Sequence, residues 1–348
     1  MNAAVLGAGI AGASTAWALA RRGHAVTVFE QFHPGHDQGS SHGHSRIVRK
    51  AYPDAFYTEI MLEAYPMWAE LDATCGERLL FEDGLLYFGR ADSSEVRSLI
   101  AGLRALDVPH EVLEPVDARR RMAPLNLEEE EVGVFTPEAG WVHAARAVRH
   151  LLKLATSAGA ELRHERVESI EDLESRFDRV AVCAGPWAPQ FLHLPVEVTL
   201  QTFAYVEAQH EGPAWIEDGG LYLYGFPSEP GSGTVKIGVH NRGRPLSPEA
   251  PERTPSNEHV EQIRDLCRRR LGIANPRVVE AKGCLYTRKT DEDFMLGRLG
   301  EKTVFASACS GHGFKFGPWI GKTLADFLEG KSDPERYPRF ACSPDRRG

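Results

Sequence analysis

Residues 1–30 contain a glycine fingerprint placed between two apolar strands. The strand Ala3–Leu6 leads into Gly7-Ala-Gly9-Ile-Ala-Gly12, a helix over Ala13–Arg22 follows, and a second strand, Ala25–Phe29, ends at Glu30. In such a βαβ unit the glycines permit a tight turn, a close approach to a pyrophosphate and close helix packing, and the helix N-terminus favours phosphate. The terminal acid stands where a ribose would bind. The fingerprint therefore predicts a dinucleotide site made by Gly7, Gly9, Ile10, Ala11, Gly12 and Glu30.

The chain after Glu30 favours FAD over NAD. An NAD-binding domain usually continues directly through further βα units, whereas here a Gly/Ser-rich basic loop follows, at residues 39–49. A later apolar strand ends in Ala184-Gly185-Pro-Trp187, and the segment Glu161–Val167 before it reads as an edge strand that could flank the adenine. A nucleotide domain assembled from separated pieces is typical of FAD proteins. We therefore predict FAD as the cofactor, with Val167, Gly185 and Trp187 beside it, and keep a flavin-free NAD dehydrogenase as the least favoured alternative.

Composition bounds the class of protein. At 348 residues the chain is too long for one simple core, so two lobes are expected. A net charge of −9 without a dominant basic tract argues against nucleic acid or an anionic membrane as partner. We expect neither a signal peptide nor a membrane span, because no apolar run approaches ~18 residues. The six cysteines form no CxxC pair, which argues against a metal site and fits a reducing cytoplasm.

The pattern of apolar residues predicts an α/β chain whose two domains are interleaved. Residues Leu79–Phe88 suggest a hairpin around Asp83-Gly84, and strands are expected over Thr199–Glu207, Leu221–Phe226 and Thr234–His240. We assign a Rossmann-like FAD-binding domain to three stretches of chain and a strand-rich substrate domain to the two insertions between them. The FAD domain takes residues 1–80, 140–192 and 280–348, and the substrate domain takes residues 81–139 and 193–279.

Two segments near the C-terminus contain residues that could bind a flavin or an anionic substrate. Lys282–Phe294 contains Cys284 in a context that looks exposed, beside a tyrosine, and Ser310–Phe316 is a glycine-flanked basic loop that contains Lys315. The cysteine is a candidate for a covalent bond to a flavin. The lysine is a candidate for holding an anionic substrate.

The chain carries a series of motifs in a fixed order: G-x-G-x-x-G, S-S-H-G-x-x-R-I-x-R, C-A-G-x-W, Y-G-F-P, K-I-G-x-H, C-x-Y-T and S-G-H-G-F-K-F. Together these motifs resemble the monomeric sarcosine oxidase family of FAD-dependent amine oxidases. That family includes N-methyltryptophan oxidase and pipecolate oxidase and belongs to the D-amino-acid oxidase superfamily. The resemblance spans nearly the whole chain, and it implies a FAD domain of the p-hydroxybenzoate-hydroxylase type with a mixed-sheet substrate domain.

The resemblance implies roles around the flavin. Cys284 matches the family cysteine that bonds the flavin 8α carbon as a thioether. His42 and Arg46 match residues near the ring, where Arg46 could assist the attachment. Lys236 matches the lysine that lies against the flavin and helps oxygen react, a form of electrostatic catalysis. The remaining flavin contacts implied by the motifs are Ser41, Gly311, His312, Gly313 and Lys315, where residues 311–313 open a helix whose N–H groups would face the flavin.

The resemblance also implies a substrate pocket. Arg49 and Lys315 match the pair that holds the substrate carboxylate, which suits a bidentate guanidinium and an ammonium. His240 matches a histidine that contacts bound substrate, and Tyr224 and Tyr286 match tyrosines beside the substrate amine. The alternatives are that these residues form surface ion pairs, a structural histidine and core tyrosines, and that Cys284 is a packed thiol. Pocket size is expected to depend on Phe203, Phe316 and Trp319.

The implied reaction oxidises a secondary amino acid, N-methyl or cyclic. A hydride passes from the carbon beside nitrogen to the flavin, the imine hydrolyses, and oxygen is reduced to hydrogen peroxide. The partners would be this small amine and oxygen, and the protein a monomer. A dehydrogenase with another electron acceptor, or a subunit of a heteromeric sarcosine oxidase, remain as alternatives. His44 and Ser45 stand where the family often has Asp-Thr, and the chain after Leu328 is short, so the substrate could differ from sarcosine.

Overall fold

The computed structural model of the chain describes residues 1–122, 124–228, 231–241 and 243–346. Helices within these residues are α1 (Ile10–Ala20), α2 (Ala55–Thr74), α3 (Ser94–Ala105), α4 (Pro115–Met122), α5 (Ala144–Ser157), α6 (Ile170–Arg176), α7 (Ala188–Phe191), α8 (Asn257–Leu271) and α9 (Gly317–Leu328). Short 3-10 turns cover Gly185–Trp187, Gly313–Phe316 and Pro334–Arg336.

The strands are β1 (Asn2–Leu6), β2 (Ala25–Glu30), β3 (Ser45–Arg49), β4 (Leu80–Phe81), β5 (Leu85–Arg90), β6 (Glu111–Leu113), β7 (Glu131–Thr136), β8 (Ala139–His143), β9 (Glu161–His164), β10 (Arg179–Val182), β11 (Glu197–Glu207), β12 (Ala214–Glu217), β13 (Leu223–Gly225), β14 (Thr234–Val239), β15 (Arg244–Pro245), β16 (Val278–Arg288), β17 (Met295–Leu299), β18 (Thr303–Ser307) and β19 (Ala341–Cys342). They assemble into three sheets among the residues that the structure describes.

The first sheet has seven strands in the order β19-β17-β18-β10-β1-β2-β9. Strands β18, β10, β1, β2 and β9 run parallel, which places the end of β1 and the start of α1 at the centre of one edge. Helix α1 packs against both α5 and α9, and the small side chains of α1 allow that close packing. The strand β9 lies at the sheet edge beside β2, as predicted for the segment that starts at Glu161.

The second sheet has nine strands, and its longest members, β11 and β16, pair in antiparallel register. This pairing sets Cys284 opposite Gln201, and the pairing of β11 with β14 sets Lys236 opposite Tyr205. Helix α8 packs against β11 and β14. It begins after Ser256, whose side chain accepts a hydrogen bond from the N–H of His259.

The third sheet is small and consists of β3, β8 and β4. Part of the Gly/Ser-rich loop at residues 39–49 is therefore a strand, β3, which pairs with β8 so that Arg46 faces Val142 and Arg49 faces Ala139. This pairing fixes the backbone of both arginines.

The predicted hairpin over Leu79–Phe88 is wrong. The turn at Asp83-Gly84 exists, and Gly84 has φ +84°, but β4 pairs with β8 while β5 pairs with β7 and β12. The turn at Gly84 connects β4 in the third sheet to β5 in the second, and the N–H of Gly84 donates a hydrogen bond to the carbonyl of Ala139. An Asp-Gly pair predicts a turn from neighbouring residues alone. The strands that pair on either side of the turn are decided by the burial of side chains elsewhere in the chain.

The fold prediction is confirmed: the chain is an α/β protein with a parallel, Rossmann-like sheet assembled from separated stretches and a second, mixed sheet. The predicted domain boundaries stay a prediction. The boundary at residue 280 falls inside β16, a strand of the nine-stranded sheet. Residues 123, 229, 230 and 242 of the predicted substrate domain, and 347 and 348 of the predicted FAD domain, lie outside the described residues. Across the described helices, none is both long and apolar enough to cross a membrane.

Candidate active site

A cavity of about 710 Å³ runs between the first and second sheets. Its wall includes every predicted site residue except Gly12. The nucleotide end is made by Gly7, Gly9, Ile10, Ala11, Glu30, Val167, Gly185 and Trp187. The other end is made by Ser41, His42, Arg46, Arg49, Tyr224, Lys236, His240, Cys284, Tyr286, Gly311, His312, Gly313 and Lys315. Residues from distant parts of the chain thus face one space.

Two fingerprint glycines are required by the backbone. Gly7 has φ +101°, and a Cβ there would lie 2.4 Å from the carbonyl oxygen of Cys183. A Cβ on Gly12 would lie 1.8 Å from the carbonyl oxygen of Gly7, so Gly12 serves the packing of α1 against the turn and not the cavity wall. Any larger residue at either position would push the start of α1 away from the sheet.

Glu30 is buried where the ribose-binding acid is expected. Its carboxylate accepts hydrogen bonds from the backbone N–H groups of Ala8 at 2.9 Å and Phe32 at 3.0 Å, and the His36 ring nitrogen lies 3.5 Å away. Burial would raise the pKa of Glu30, but the His36 contact and the backbone hydrogen bonds outweigh it, so the pKa lies below its usual value. Glu30 is therefore ionised near neutral pH and can accept hydrogen bonds from hydroxyl groups.

His42 shows that the cavity wall fits a polar ligand. Burial, together with Arg46 and Lys236, lowers the pKa of His42 to about 3, so the imidazole is neutral. Its Nε2 atom is buried and makes no hydrogen bond to any described residue. A buried polar atom without a partner destabilises the protein unless a ligand or water meets it. Together with the glycine turn and Glu30, this atom makes the cavity suitable for FAD.

Cys284 is buried on β16 and is 6% exposed, so the exposed position expected from the sequence is wrong. Strand β16 pairs with β11, and Cys284 packs with Phe203 and Tyr286 in the wall of the cavity. Arg46 lies with Nη2 3.9 Å from Sγ, and its guanidinium donates to the carbonyls of Ser45 and Ser40. Burial raises the pKa of Cys284 and Arg46 opposes that rise. Arg46 is thus placed to stabilise a thiolate.

Lys236 is a buried cation in the wall of the cavity. Its side chain is 4% exposed, and Nζ donates a 2.8 Å hydrogen bond to the carbonyl of Ser45. The ammonium lies 4.7 Å from the ring centroid of Phe203 and 4.9 Å from that of Phe226. The rings fix the position of the charge and exclude water around it.

Arg49 and Lys315 approach each other over one aromatic ring. The guanidinium carbon of Arg49 lies 4.0 Å from the ring centroid of Tyr52, and the Nζ of Lys315 lies 5.5 Å from it. Arg49 donates to the carbonyl of Ala51, and Lys315 donates to that of His312 at 2.8 Å. Neither cation forms an ion pair with a carboxylate of the described residues. Two close cations that both lack an anion favour an anionic ligand.

His240 and two tyrosines form the wall beside these cations. Tyr286 hydrogen-bonds to Tyr224, and burial raises the pKa of both hydroxyls, so both stay protonated. The His240 ring centroid lies 5.8 Å from that of Tyr286. A Cβ on Gly311, which has φ +77°, would lie 2.3 Å from the Tyr286 ring and 2.6 Å from that of His240. The glycine backbone therefore contacts both rings.

The expected helix start at residues 311–313 is present, but its first turn, Gly313–Phe316, is a 3-10 turn that continues into α9. His312 also has a structural role, since its ring stacks on Phe294 at 4.8 Å and its Nδ1 lies 3.3 Å from the Tyr52 hydroxyl.

Sequence reasoning named some pocket residues wrongly and missed others. Phe203 lines the cavity, but Phe316 and Trp319 belong to the core beneath the first sheet and do not line it. The missed wall residues include Tyr52, Tyr87, Tyr222, Arg288 and Glu292. Arg288 directly follows C-x-Y-T, so the position of that motif could have indicated it.

Comparison with known proteins gives the same assignment as the motifs. Residues 2–327 match the family described as FAD dependent oxidoreductase. The chain is 31% identical to monomeric sarcosine oxidase from Streptomyces avermitilis, covering 92% of each chain. It is 29% identical to N-methyl-L-tryptophan oxidase from Yersinia pestis, covering 97% of this chain and 98% of that one.

Among solved structures, NikD, an unusual amino acid oxidase essential for nikkomycin biosynthesis, is 26% identical with a TM-score of 0.83, covering 99% of this chain and 97% of that one. The match to the family covers both the glycine fingerprint and the segment that contains Cys284 and Lys315. The chain therefore belongs to the FAD dependent oxidoreductase family and is an oxidoreductase of the sarcosine oxidase type.

Proposed function

We propose that this protein oxidises a secondary amino acid, N-methylated or cyclic, with oxygen as the electron acceptor and hydrogen peroxide as a product. The observation that carries the proposal is the pair of cations, Arg49 and Lys315, over the ring of Tyr52 in the cavity that also contains Cys284. Relatives named for sarcosine and N-methyl-L-tryptophan support the substrate class.

The positions of the cavity residues support the roles that we propose for them. When bound, FAD would supply the redox chemistry by accepting a hydride from the carbon beside the substrate nitrogen. Gly7, Gly9 and Glu30 would hold its nucleotide end. Arg49 and Lys315 would bind the substrate carboxylate, which orients the amine toward His240 and the tyrosines. Because the rings of Tyr52, Phe203 and Tyr286 are buried, they would exclude water from the amine during the reaction.

A substrate screen tests this proposal. The purified holoprotein is assayed for peroxide with sarcosine, larger N-methyl amino acids, proline and pipecolate, and with their methyl esters. We expect peroxide with at least one free acid and much less with its ester, because the ester lacks the charge that Arg49 and Lys315 would bind. Turnover with a dye acceptor but without peroxide would instead indicate a dehydrogenase. Failure of every amine with both acceptors would refute the proposed function.

A second proposal concerns attachment of the cofactor through Cys284. We expect acid denaturation of the holoprotein to leave the flavin on the polypeptide, because Arg46 lies 3.9 Å from the sulfur and would stabilise its thiolate form. Formation of the thioether would remove one proton from the thiol and one from the flavin 8α methyl group, and the two electrons released would pass to oxygen, which gives hydrogen peroxide. In the C284A variant the yellow colour should stay in the supernatant. The matched control is C309A, since Cys309 also lines the cavity but is not the assigned attachment site. A colourless precipitate from the wild-type protein would contradict covalent attachment of the flavin.

The lowered pKa of Lys315 predicts that carboxylate binding weakens as the pH rises. Burial, with Arg49 and Arg46 nearby, holds the pKa of Lys315 well below its usual range. A bound carboxylate would raise that pKa, so binding takes up a proton. Affinity for cyclopentanecarboxylate, an analogue without the amine, should be constant below the lowered pKa and fall by up to about tenfold per pH unit above it.

The measurement is a calorimetric titration of the analogue into holoprotein at several pH values, in buffers that differ in ionisation heat. In the K315M variant the pH dependence and the proton uptake should disappear. An affinity that rises with pH, or an unchanged slope in K315M, would show that another group is responsible.

We also propose that the protein acts as a monomer, because the residues assigned to catalysis all line a cavity within one chain. Gel filtration of the active fraction tests this, and activity found only in a larger complex with another chain would contradict it.

A further inference from the structure

A carboxylate that sequence reasoning missed lies behind His240. The Nε2 of His240 lies 3.6 Å from Oε2 of Glu292, while the other carboxylate oxygen, Oε1, lies 3.1 Å from a guanidinium nitrogen of Arg288. The same Arg288 donates a 2.9 Å hydrogen bond to the backbone carbonyl of His240. The three residues therefore form a closed set of contacts in which both the ring and the backbone of His240 are held. All three line the cavity.

The backbone of Glu292 is in an unusual conformation for its residue type. Its φ is +63°, in the left-handed region that glycine and asparagine adopt most easily. Such strain persists only where the surroundings fix the residue, and it concentrates at functional sites. Here the carbonyl of Glu292 accepts a hydrogen bond from Nε2 of His312 at 3.1 Å, and its N–H donates to the carbonyl of Lys289. The strain brings the Glu292 side chain to His240.

The turn itself does not need this side chain. Asp291 stabilises the turn, because its carboxylate accepts a hydrogen bond from the N–H of Asp293 at 3.0 Å and pairs with Lys289 at 2.6 Å. An asparagine at position 292 would suit the backbone better than glutamate does. The contacts of the Glu292 carboxylate are instead directed to Arg288 and His240.

Arg288 is nearly as buried as a core residue. Its side chain is 10% exposed, and its guanidinium carbon lies 6.0 Å from the ring centroid of Tyr286. A buried guanidinium requires a carboxylate or several carbonyl partners, and here the partners are Glu292 and the His240 carbonyl. The hydrogen bond with His240 and the ion pair with Arg288 help to keep the pKa of Glu292 below its usual range, although its partial burial opposes this.

We propose that Glu292, supported by Arg288, is a positioning residue that fixes the ring of His240 against the bound substrate. This inference rests on the proposed function, because it assigns His240 the contact with substrate. Glu292 is thus a charged residue of the site that lies outside both the sequence motifs and the glycine fingerprint.

The test compares E292Q and E292N with D291N. E292Q keeps the size of the side chain but removes its charge, and E292N suits the left-handed backbone but cannot reach His240. We expect kcat/KM for the best amine to fall by about tenfold or more in both Glu292 variants, while the Kd of cyclopentanecarboxylate changes by less than about twofold. Both variants leave the Arg288 guanidinium without its carboxylate, which lowers stability, and in E292N the relief of backbone strain offsets part of that loss. Melting temperature is therefore measured in parallel, and kcat/KM is compared at a temperature well below that at which either variant unfolds. D291N removes a neighbouring charge but keeps a side-chain oxygen that can accept the hydrogen bond from the N–H of Asp293, so the turn and wild-type kcat/KM should be retained.

A readout that does not need turnover makes failure of this inference distinguishable from failure of the proposed function. Peptide mass spectrometry after diethyl pyrocarbonate treatment reports how readily the His240 ring reacts. We expect faster modification of His240 in E292Q and E292N than in the wild type or D291N. Wild-type modification rates together with wild-type kcat/KM in folded E292Q and E292N would overturn the positioning role. Faster modification in a protein that oxidises no amine would support the ring contact and reject only the proposed function.

Discussion

Replacing Lys236 with methionine should slow the reaction of the reduced enzyme with oxygen by about 100-fold or more, while reduction by substrate changes by less than about threefold. The ammonium is 4% exposed and lies between the rings of Phe203 and Phe226, so its charge is screened little by water. A fixed cation at this position would stabilise the negative charge that develops when oxygen accepts an electron. Methionine has a similar length and removes that charge. Stopped-flow absorbance measures the two half-reactions separately.

The matched control for this prediction is K282M. Lys282 lies on β16 of the same sheet, but its side chain is 50% exposed and pairs with Glu280. It should therefore behave as the wild type in both half-reactions. If K236M slowed both half-reactions equally, Lys236 would have a structural role, and the role in oxygen reactivity would be rejected.

Replacing Arg49 with methionine should raise KM for a secondary amino acid by about 100-fold, because one of the two cations proposed to bind the carboxylate is lost. Lys315 would remain, but an ammonium cannot provide the parallel pair of hydrogen bonds that a guanidinium gives. For the same reason R49K should recover only part of the affinity. Steady-state peroxide assays of R49M, R49K and the wild type provide the comparison, and kcat should change much less than KM.

Two controls isolate the carboxylate contact of Arg49. K50M removes the neighbouring cation, which pairs with Glu138 and does not line the cavity, and it should leave KM unchanged. The methyl ester of the substrate lacks the negative charge, so R49M and the wild type should use it about equally. An equal loss on acid and ester would show that Arg49 shapes the pocket without binding the carboxylate.

The sequence alone was sufficient for those features that depend on neighbouring residues. The turn at Gly7, the helix after it and the strand ending in Glu30 follow from local spacing, and the structure has all of them. The grouping of distant residues such as Arg49 and Lys315 came from the resemblance to a known family, because spacing along the chain contains no information about which loops meet.

Two predictions that were wrong, and a residue that was missed, concern features that depend on tertiary contacts. The turn at Gly84 was correct, but the strands on its two sides enter different sheets, and the burial that decides this lies elsewhere in the chain. Cys284 looked exposed because its neighbours along the chain are polar, yet its side chain packs with Phe203 and Tyr286, which are distant or alternate residues that local sequence does not reveal as neighbours. Glu292 was missed because a positive φ on a non-glycine residue has no signature in the sequence.

The position of Cys284 on β16 has a mechanical consequence. The turn at Gly7 belongs to the seven-stranded sheet, whereas β16 belongs to the nine-stranded sheet, and both face the same cavity. A flavin bonded to Cys284 and held at its far end by the turn at Gly7 would connect the two sheets through one molecule. The covalent bond could form only after both sheets have folded, so attachment of the flavin would indicate that folding is complete. Once the bond has formed, it would couple the unfolding of one sheet to that of the other.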